Sequence, residues 1–331
     1  MNILLIGLGG MGKNHFRVLS QLDQVKKIFL HDKDNALMNE HTIEGRVEAV
    51  STLKKFFDSG EYKKIEGVII AAPTSTHLEI FKNVIKFNKP VFIEKPVAGS
   101  LIDAQEIHSL AQEYKMMVMI GHIERYNPTI VCLKKILKNN SIGSVLYINT
   151  IRVGGSPINK VKAGGAIFDL AVHDFDILNF IFDQPLEFIF AHGIKAESTP
   201  SATIALKSGS IHCDVHVNWI TPVKSRKITI TGETGMLIAD LINQEIRFFP
   251  SNDKLIDQEN NQSFVSFYEF TEISKDSNSY MLNIEKNEPL KAELMDFMQF
   301  CKFSSAKEGL PLLEDGLRAV ELAELSEKNI I

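Results

Sequence analysis

The sequence predicts an α/β fold: an amino-terminal, doubly wound parallel sheet, then an α+β domain built on a large, mostly antiparallel sheet. Three observations predict it. The apolar run Asn2–Ile6 leads directly into Gly7-Leu8-Gly9-Gly10-Met11-Gly12 and then into an amphipathic helix pattern. Strand runs and helical patterns alternate from there to residue 121, as a parallel sheet with crossover helices requires. Beyond residue 122, strand signals follow one another through hairpin-like turns at Ser208-Gly209 and Gly232-Glu233, the pattern of antiparallel or mixed pairing. The chain of 331 residues is long enough for two cores. We divide it into residues 1–122 and 123–331.

Asn2–Ile6 is nearly continuous in its hydrophobicity, which reads as a strand buried on both faces. The glycines that follow have the spacing G-x-G-x-x-G. Gly7 would make the tight turn, Gly9 would let a pyrophosphate approach the backbone, and Gly12 would let helix and strand pack closely. Free N–H groups of Gly10 and Met11 at the helix start would favour the phosphates. His15, Phe16, Val18, Leu19 and Leu22 fall mostly on one helical face. Lys27–Leu30 reads as the second strand, and Asp32 follows it twenty positions after Gly12. A carboxylate there can accept ribose hydroxyls and repels a 2′-phosphate, so the expected cofactor is NAD rather than NADP. The adjacent Lys33 works against that discrimination. An ordinary strand–turn–helix with a solvated Asp is the plainer alternative.

The first half continues with a short strand at Val47–Val50 and a helix near Leu53–Phe57. Gly67–Ala72 is a buried strand ending in Pro73-Thr74-Ser75-Thr76-His77, with a helix on to Phe87. Pro90–Glu94 is the next strand, closed by Lys95-Pro96, and a helix over Leu101–Tyr114 leads to Met117–Gly121. In the second half a helix covers Thr129–Leu137. Strands are expected at Val145–Val153, Leu186–Gly193, Thr203–Leu206, Ser210–Trp219, Ser225–Thr231, Gly235–Asp240, Glu245–Phe249 and Phe264–Phe270. One helix, Gly165–Phe182, interrupts them, Ser251–Ser263 is a polar Asn-rich loop, and helices Pro289–Cys301 and Glu314–Lys328 end the chain. Val215, Val217 and Trp219 alternate with His212, Asp214, His216 and Asn218. That pattern suggests an apolar outer sheet face through which a homodimer or homotetramer would form, with Trp219 in sheet packing or an oligomer contact.

Composition limits the partners. Hydrophobic residues make up 44% and charged residues 23%, with a net charge of −5 and a pI near 6.1. No basic face suggests nucleic acid, and no polybasic segment or long apolar run suggests a membrane. Cys132, Cys213 and Cys301 are few and far apart, without disulfide or metal spacing. The chain reads as cytoplasmic, with no signal peptide pattern.

The candidate chemistry lies in two further motifs. Glu94-Lys95-Pro96 closes a central strand, where a lysine can donate to a substrate hydroxyl and stabilise an alkoxide. Asp169 and His173 stand four apart on an expected helix and would share a face. A near-neutral imidazole suits removal of a hydroxyl proton. Asp174 and Asp176 add carboxylates, but no second histidine falls at a ligand spacing, so no metal is expected. With the glycine turn, Ala72–His77, Glu94–Pro96, Gly164–Asp176 and Thr231–Gly235, the chain resembles the glucose–fructose oxidoreductase, inositol dehydrogenase and MocA family almost throughout. It departs at Ala163 and Ala171, where that family often has glycine.

The resemblance implies a Rossmann domain and NAD-dependent oxidation of a sugar hydroxyl to a ketone. It implies Lys95, Asp169 and His173 as the catalytic group, although the base differs between members; we expect His173 as base, Asp169 to orient substrate or His173, and Lys95 to stabilise the alkoxide. It also implies cofactor contacts at Ala72, Pro73, Thr74, His77, Glu94, Lys95 and His122, although helix capping by Thr74 or Ser75 is at least as good a reading of that segment. The string Gly121-His122-Ile123-Glu124-Arg125-Tyr126-Asn127-Pro128 is similar to one in members that oxidise nucleotide sugars, which implies Arg125 and Asn127 near the substrate. A domain hinge explains Glu124 and Pro128 equally well. Arg152 could meet an anionic group such as a diphosphate. The sharpest expectation is oxidation at C3 of UDP-N-acetylglucosamine. A cyclitol or free sugar is the alternative, and a non-enzymatic dinucleotide-binding regulator is a reading from another class.

Overall fold

Strands that are apolar on both faces must lie between two layers of helices. In the computed structural model, which describes residues 1–41, 45–154, 165–182, 184–196, 198–251, 279–303 and 307–331, six such strands form one parallel sheet. They are β1 (Asn2–Ile6), β2 (Lys27–His31), β3 (Val47–Ala49), β4 (Gly67–Ile70), β5 (Val91–Glu94) and β6 (Val118–Gly121), in the order β3-β2-β1-β4-β5-β6. Ile3, Leu4, Leu5, Val68, Ile69, Phe92 and Ile93 have no exposure. The crossover helices are α1 (Gly10–Gln21), α2 (Asn35–Glu40), α3 (Leu53–Asp58), α4 (His77–Val84) and α5 (Leu101–Glu113). Strand order reverses between β1 and β4, which opens a crevice at their carboxyl ends.

The glycine turn sits at that crevice, and each expected role has a geometric counterpart. Gly7 has φ +96°, a conformation that other residues rarely adopt. A Cβ on Gly12 would lie 2.0 Å from the Gly7 carbonyl oxygen. A Cβ on Gly9 would meet nothing within 4 Å, so the backbone is open to a ligand there.

The second sheet has eight strands: β7 (Val145–Val153), β8 (Glu187–Gly193), β9 (Ser201–Ser208), β10 (Ile211–Asn218), β11 (Ser225–Gly232), β12 (Gly235–Asp240), β13 (Glu245–Pro250) and β14 (Tyr280–Leu282). Their order is β14-β13-β12-β11-β7-β10-β9-β8, with β7 and β10 parallel and the other pairs antiparallel. The three-residue β14 is too short to show a period in sequence. The expected strand Phe264–Phe270, most of the loop 251–263, and Ala163 and Gly164 lie outside the described residues.

One expectation about this sheet is corrected. Val215 and Val217 are fully buried and Trp219 is 7% exposed, in one core with Phe175 and Val320. The face carrying His212 is the outer one. Alternation separates two faces but does not say which one helices cover. The covering elements are α6 (Pro128–Lys138), a π-helical segment Ile167–Ala171 that continues into α7 (Val172–Ile181), and α9 (Leu313–Lys328), which also packs on α5. The preceding helix α8 (Pro289–Phe303) returns to the first sheet, where Phe297 meets the Phe92 ring at 5.5 Å between centroids. No helix among the described residues is long and apolar enough to cross a membrane.

The interior holds titratable groups at a cost. His77, His122 and His173 are held below the ordinary imidazole value, first by burial. Glu293 on α8 is fully buried, and neither carboxyl oxygen has a partner among the described residues. Burial first, then Glu94 and Asp176, hold it well above the carboxylate range, which favours its neutral form.

Gly12→Ala, which places a Cβ against the Gly7 carbonyl, should cost about 3 kcal/mol in denaturant unfolding. Gly10→Ala, whose Cβ meets nothing within 4 Å, should cost little, and equal losses would refute the packing argument. Stability should fall as pH drops below about 6.5, where unfolded imidazoles take up protons that the buried ones refuse. Glu293 acts in the opposite direction, since its folded value is raised: its penalty grows as pH rises above about 4.3. Glu293→Gln should therefore raise Tm more at pH 8 than at pH 5; a gain independent of pH would contradict this.

Candidate active site

Two cavities open along the carboxyl ends of β1, β4 and β5, and they share Ala72. The first, about 550 Å³, is lined by Gly7, Gly9, Asp32, Lys33, Leu37, Leu53, Pro73, Thr76 and Ile80 among others. Asp32 is fixed at its mouth: Oδ2 accepts the Leu8 N–H at 2.6 Å and Oδ1 accepts the Asp34 N–H at 2.8 Å. Each oxygen keeps a lone pair for a further donor. Apolar walls with one fixed carboxylate suit a nucleoside.

The second cavity, about 530 Å³, lies between the two sheets. Met11, Ala71, Ala72, Glu94, Lys95 and Gly121 line it from the first sheet, and Glu124, Arg152, Asp169, His173, Trp219, Lys224 and Arg226 from beyond it. A dinucleotide fits this arrangement. The open backbone at Gly9 and the first turn of α1 lie between a nucleoside cavity and one rich in groups that move protons.

The structure brings the three expected catalytic residues together. Lys95 follows β5, and its Nζ donates to the Asp169 backbone carbonyl at 2.7 Å and lies 3.6 Å from Asp169 Oδ1. Asp169 sits in the π-helical segment, a device common at functional sites, and its Oδ2 accepts the Trp219 indole N–H at 3.3 Å. His173 follows on α7. Burial, then the positive charges of Lys95 and Arg152, hold His173 well below 6.5. It is therefore neutral near pH 7, and its Nδ1 has no partner among the described residues. The expected orientation of His173 by Asp169 is not what the structure shows. Among the described residues no hydrogen bond joins them, because Asp169 is engaged by Lys95 and Trp219.

Other expected residues are held inside the protein. Glu94 lines the cavity, but its Oε1 pairs with His15 Nε2 at 2.6 Å and its Oε2 accepts the Lys95 N–H at 3.2 Å. His77 lies within 2.9 Å of the Ala72 carbonyl and 3.2 Å of the Val97 carbonyl, tying together the segments that follow β4 and β5. Thr74 begins a short 3-10 helix without a side-chain cap, and neither it nor His77 lines either cavity. Arg125 grips Asp176 through Nε at 2.9 Å and Nη2 at 2.6 Å and reaches Asp315 at 3.0 Å. Asn127 caps α6 through Oδ1 and donates to the Leu241 carbonyl at 3.0 Å. His122 is buried, 3.6 Å from Asp176. Arg125, Asn127 and His122 are absent from the cavity wall.

Arg152 does line the cavity, but its charge is answered: Nε meets Asp174 Oδ2 at 2.8 Å, and Nη1 meets Glu124 Oε1 at 2.7 Å. Sequence reasoning missed Trp219, Lys224 and Arg226 as cavity residues. Trp219 ends the alternating row of β10, and only the site's geometry shows that its indole N–H reaches Asp169.

Comparisons with known proteins bear on the fold and the family. Residues 1–122 match the GFO/IDH/MocA model described as an oxidoreductase family with an NAD-binding Rossmann fold, and residues 130–238 match the GFO/IDH/MocA C-terminal domain. The chain is 24% identical over 310 residues to myo-inositol 2-dehydrogenase of Thermotoga maritima, covering 87% of this chain and 90% of that protein. Among solved structures it is similar to UDP-N-acetylglucosamine 3-dehydrogenase GnnA of Acidithiobacillus ferrooxidans, with a TM-score of 0.80, 19% identity, and 100% and 97% of the two chains covered. It is also similar to a levoglucosan dehydrogenase in complex with NADH and levoglucosan, with a TM-score of 0.81, 16% identity, and 99% and 96% covered. Two consecutive models of one family account for both sheets, and the chain belongs to the GFO/IDH/MocA family of oxidoreductases, with an NAD-binding Rossmann domain.

Proposed function

We propose that this protein oxidises a secondary hydroxyl of a sugar to a ketone with NAD, and that the substrate is UDP-N-acetylglucosamine, oxidised at C3. The observation that carries the reaction is the convergence of Lys95, Asp169 and His173 on one cavity beside the β1–β4 crevice. Bound NAD would supply the hydride acceptor. His173, kept neutral by burial and by nearby cations, would take the hydroxyl proton. Lys95 would donate to the same oxygen and stabilise its developing negative charge. Asp169 holds Lys95 through its carbonyl, and Trp219 holds the Asp169 carboxylate.

The likeness to GnnA and the string Gly121–Pro128 support the nucleotide sugar. The string supports it less directly than its sequence implied, because Arg125 and Asn127 use their donors inside the protein. A cyclitol is the second reading, favoured by the relative in Thermotoga maritima that is named for myo-inositol.

NADH formation should be seen with UDP-N-acetylglucosamine and not with myo-inositol or glucose; turnover confined to myo-inositol would replace the first substrate by the second. Lys95→Ala should lower kcat about a thousandfold or more while NADH still binds. Retained turnover would remove Lys95 from the mechanism. With His173 as base, the acid limb of kcat/KM should fall well below pH 6.5, because the base is deprotonated above its lowered value. A limb at or above 6.5 would point away from His173.

A further inference from the structure

Among the described residues the walls of the second cavity carry four cationic side chains, and two pairs of them differ. Lys95 is held by Asp169, and Arg152 by Asp174 and Glu124. Lys224, just before β11, and Arg226, its second residue, also line this cavity. Among the described residues neither has a carboxylate within ion-pair distance. Arg226 is anchored instead by carbonyls: its Nη1 donates to Val153 at 3.0 Å and to Ser225 at 3.1 Å. Its Nε and Nη2 make no hydrogen bond among the described residues. These two donors form one edge of the guanidinium fork, the edge that grips carboxylate or phosphate bidentately.

The environment of Arg226 makes that edge a demand for an anion. The side chain is half-buried beside the Arg152 guanidinium, and burial first, then Arg152, pulls its pKa down to about 10. A partly desolvated cation without a counter-ion is costly to maintain. The carboxylates whose charges act on it, Asp174, Glu124 and Asp169, are engaged by Arg152 and Lys95. Lys224 is exposed at the rim, where it can add a second charge without fixed geometry. The positive end of the cavity thus belongs to β11, not to Arg152 or to the Gly121–Pro128 string.

We propose that Arg226, assisted by Lys224, is the subsite for an anionic group of the substrate, an oxygen-rich phosphate or carboxylate remote from the hydroxyl that is oxidised. This deepens the proposed function and rests on its placing of the sugar at Lys95 and His173. In a nucleotide sugar the group is the diphosphate, and in a uronic acid it is the carboxylate. Cyclitols lack either, so Arg226 would select against them by leaving its cation unanswered.

The test measures binding as well as turnover. The protein saturated with NADH, so that the dinucleotide site is filled, is titrated by calorimetry with UDP, with glucose 1-phosphate and with glucuronate. The wild type should bind at least one of these anions. UDP binding alone would identify a diphosphate site and glucuronate binding alone a carboxylate site. Arg226→Gln should weaken that binding about 30-fold or more, and Lys224→Ala, at an exposed position that leaves the fold intact, by a smaller factor. NADH affinity is measured alongside as a check on folding. No binding of any of the three anions to the wild type, or binding unchanged in Arg226→Gln, would overturn the subsite. If anions bind through Arg226 but UDP-N-acetylglucosamine is not oxidised, the subsite stands and the substrate assignment fails. If UDP-N-acetylglucosamine is oxidised with unchanged KM by Arg226→Gln, the assignment stands and the subsite fails.

Discussion

The contact between Gly12 and the Gly7 carbonyl fixes the rest of the site. No side chain fits between them, so α1 starts directly on the end of β1, with its free N–H groups at the crevice. From there a succession of polar contacts crosses the molecule. His15 on α1 reaches Glu94 at the end of β5, and Glu94 in turn accepts the backbone N–H of Lys95. Lys95 reaches Asp169, and Asp169 is met by Trp219 at the end of β10. The turn that would hold the dinucleotide and the groups that would act on substrate are thus registered to one another through fixed hydrogen bonds. Such preorganisation is what proton transfer at a defined carbon needs.

Charge is distributed around this succession in a consistent way. Arg125 with Asp176 and Asp315, and Arg152 with Asp174 and Glu124, are buried pairs at the junction of the sheets. Pairs of this kind add little net stability, but removing one partner strands a charge in the interior. They tie segments at this junction together and at the same time answer the charge of two arginines. Among the described residues, the cationic side chains of the cavity without an ion-pair partner are Lys224 and Arg226. The lowered value of His173 and the raised value of Glu293 come from the same low-dielectric surroundings. His173 has a proton acceptor to offer there, whereas Glu293 lies away from the cavity wall.

Local constraints were legible from the sequence. The period of the apolar residues located the strands of the first sheet and the helices between them, because a strand buried on both faces leaves no polar position. Gly7, Gly9 and Gly12 could be assigned separate roles, since each role is a backbone requirement met within six residues. Lys95, Asp169 and His173 could be named because a family resemblance picks them out, while the strand-ending Pro96 and the helical spacing of the other two agree with it. By contrast β14 was missed, since its three residues acquire meaning only beside β13.

Where charged side chains find partners was decided by the tertiary structure alone. Arg125 lies 51 positions from Asp176, and Lys95 lies 74 from Asp169; no local pattern records such a meeting. For that reason Arg125, Asn127 and Arg152 looked like ligands in the sequence and are structural or neutralised in the fold. Arg226, half-buried and without a carboxylate partner among the described residues, carried no signal at all. The burial of Val215, Val217 and Trp219 follows the same rule. The sequence determined that β10 has an apolar face, by its alternation. The fold determined that helices, and not solvent, lie against it, because covering a face is a property of distant elements and not of the strand itself.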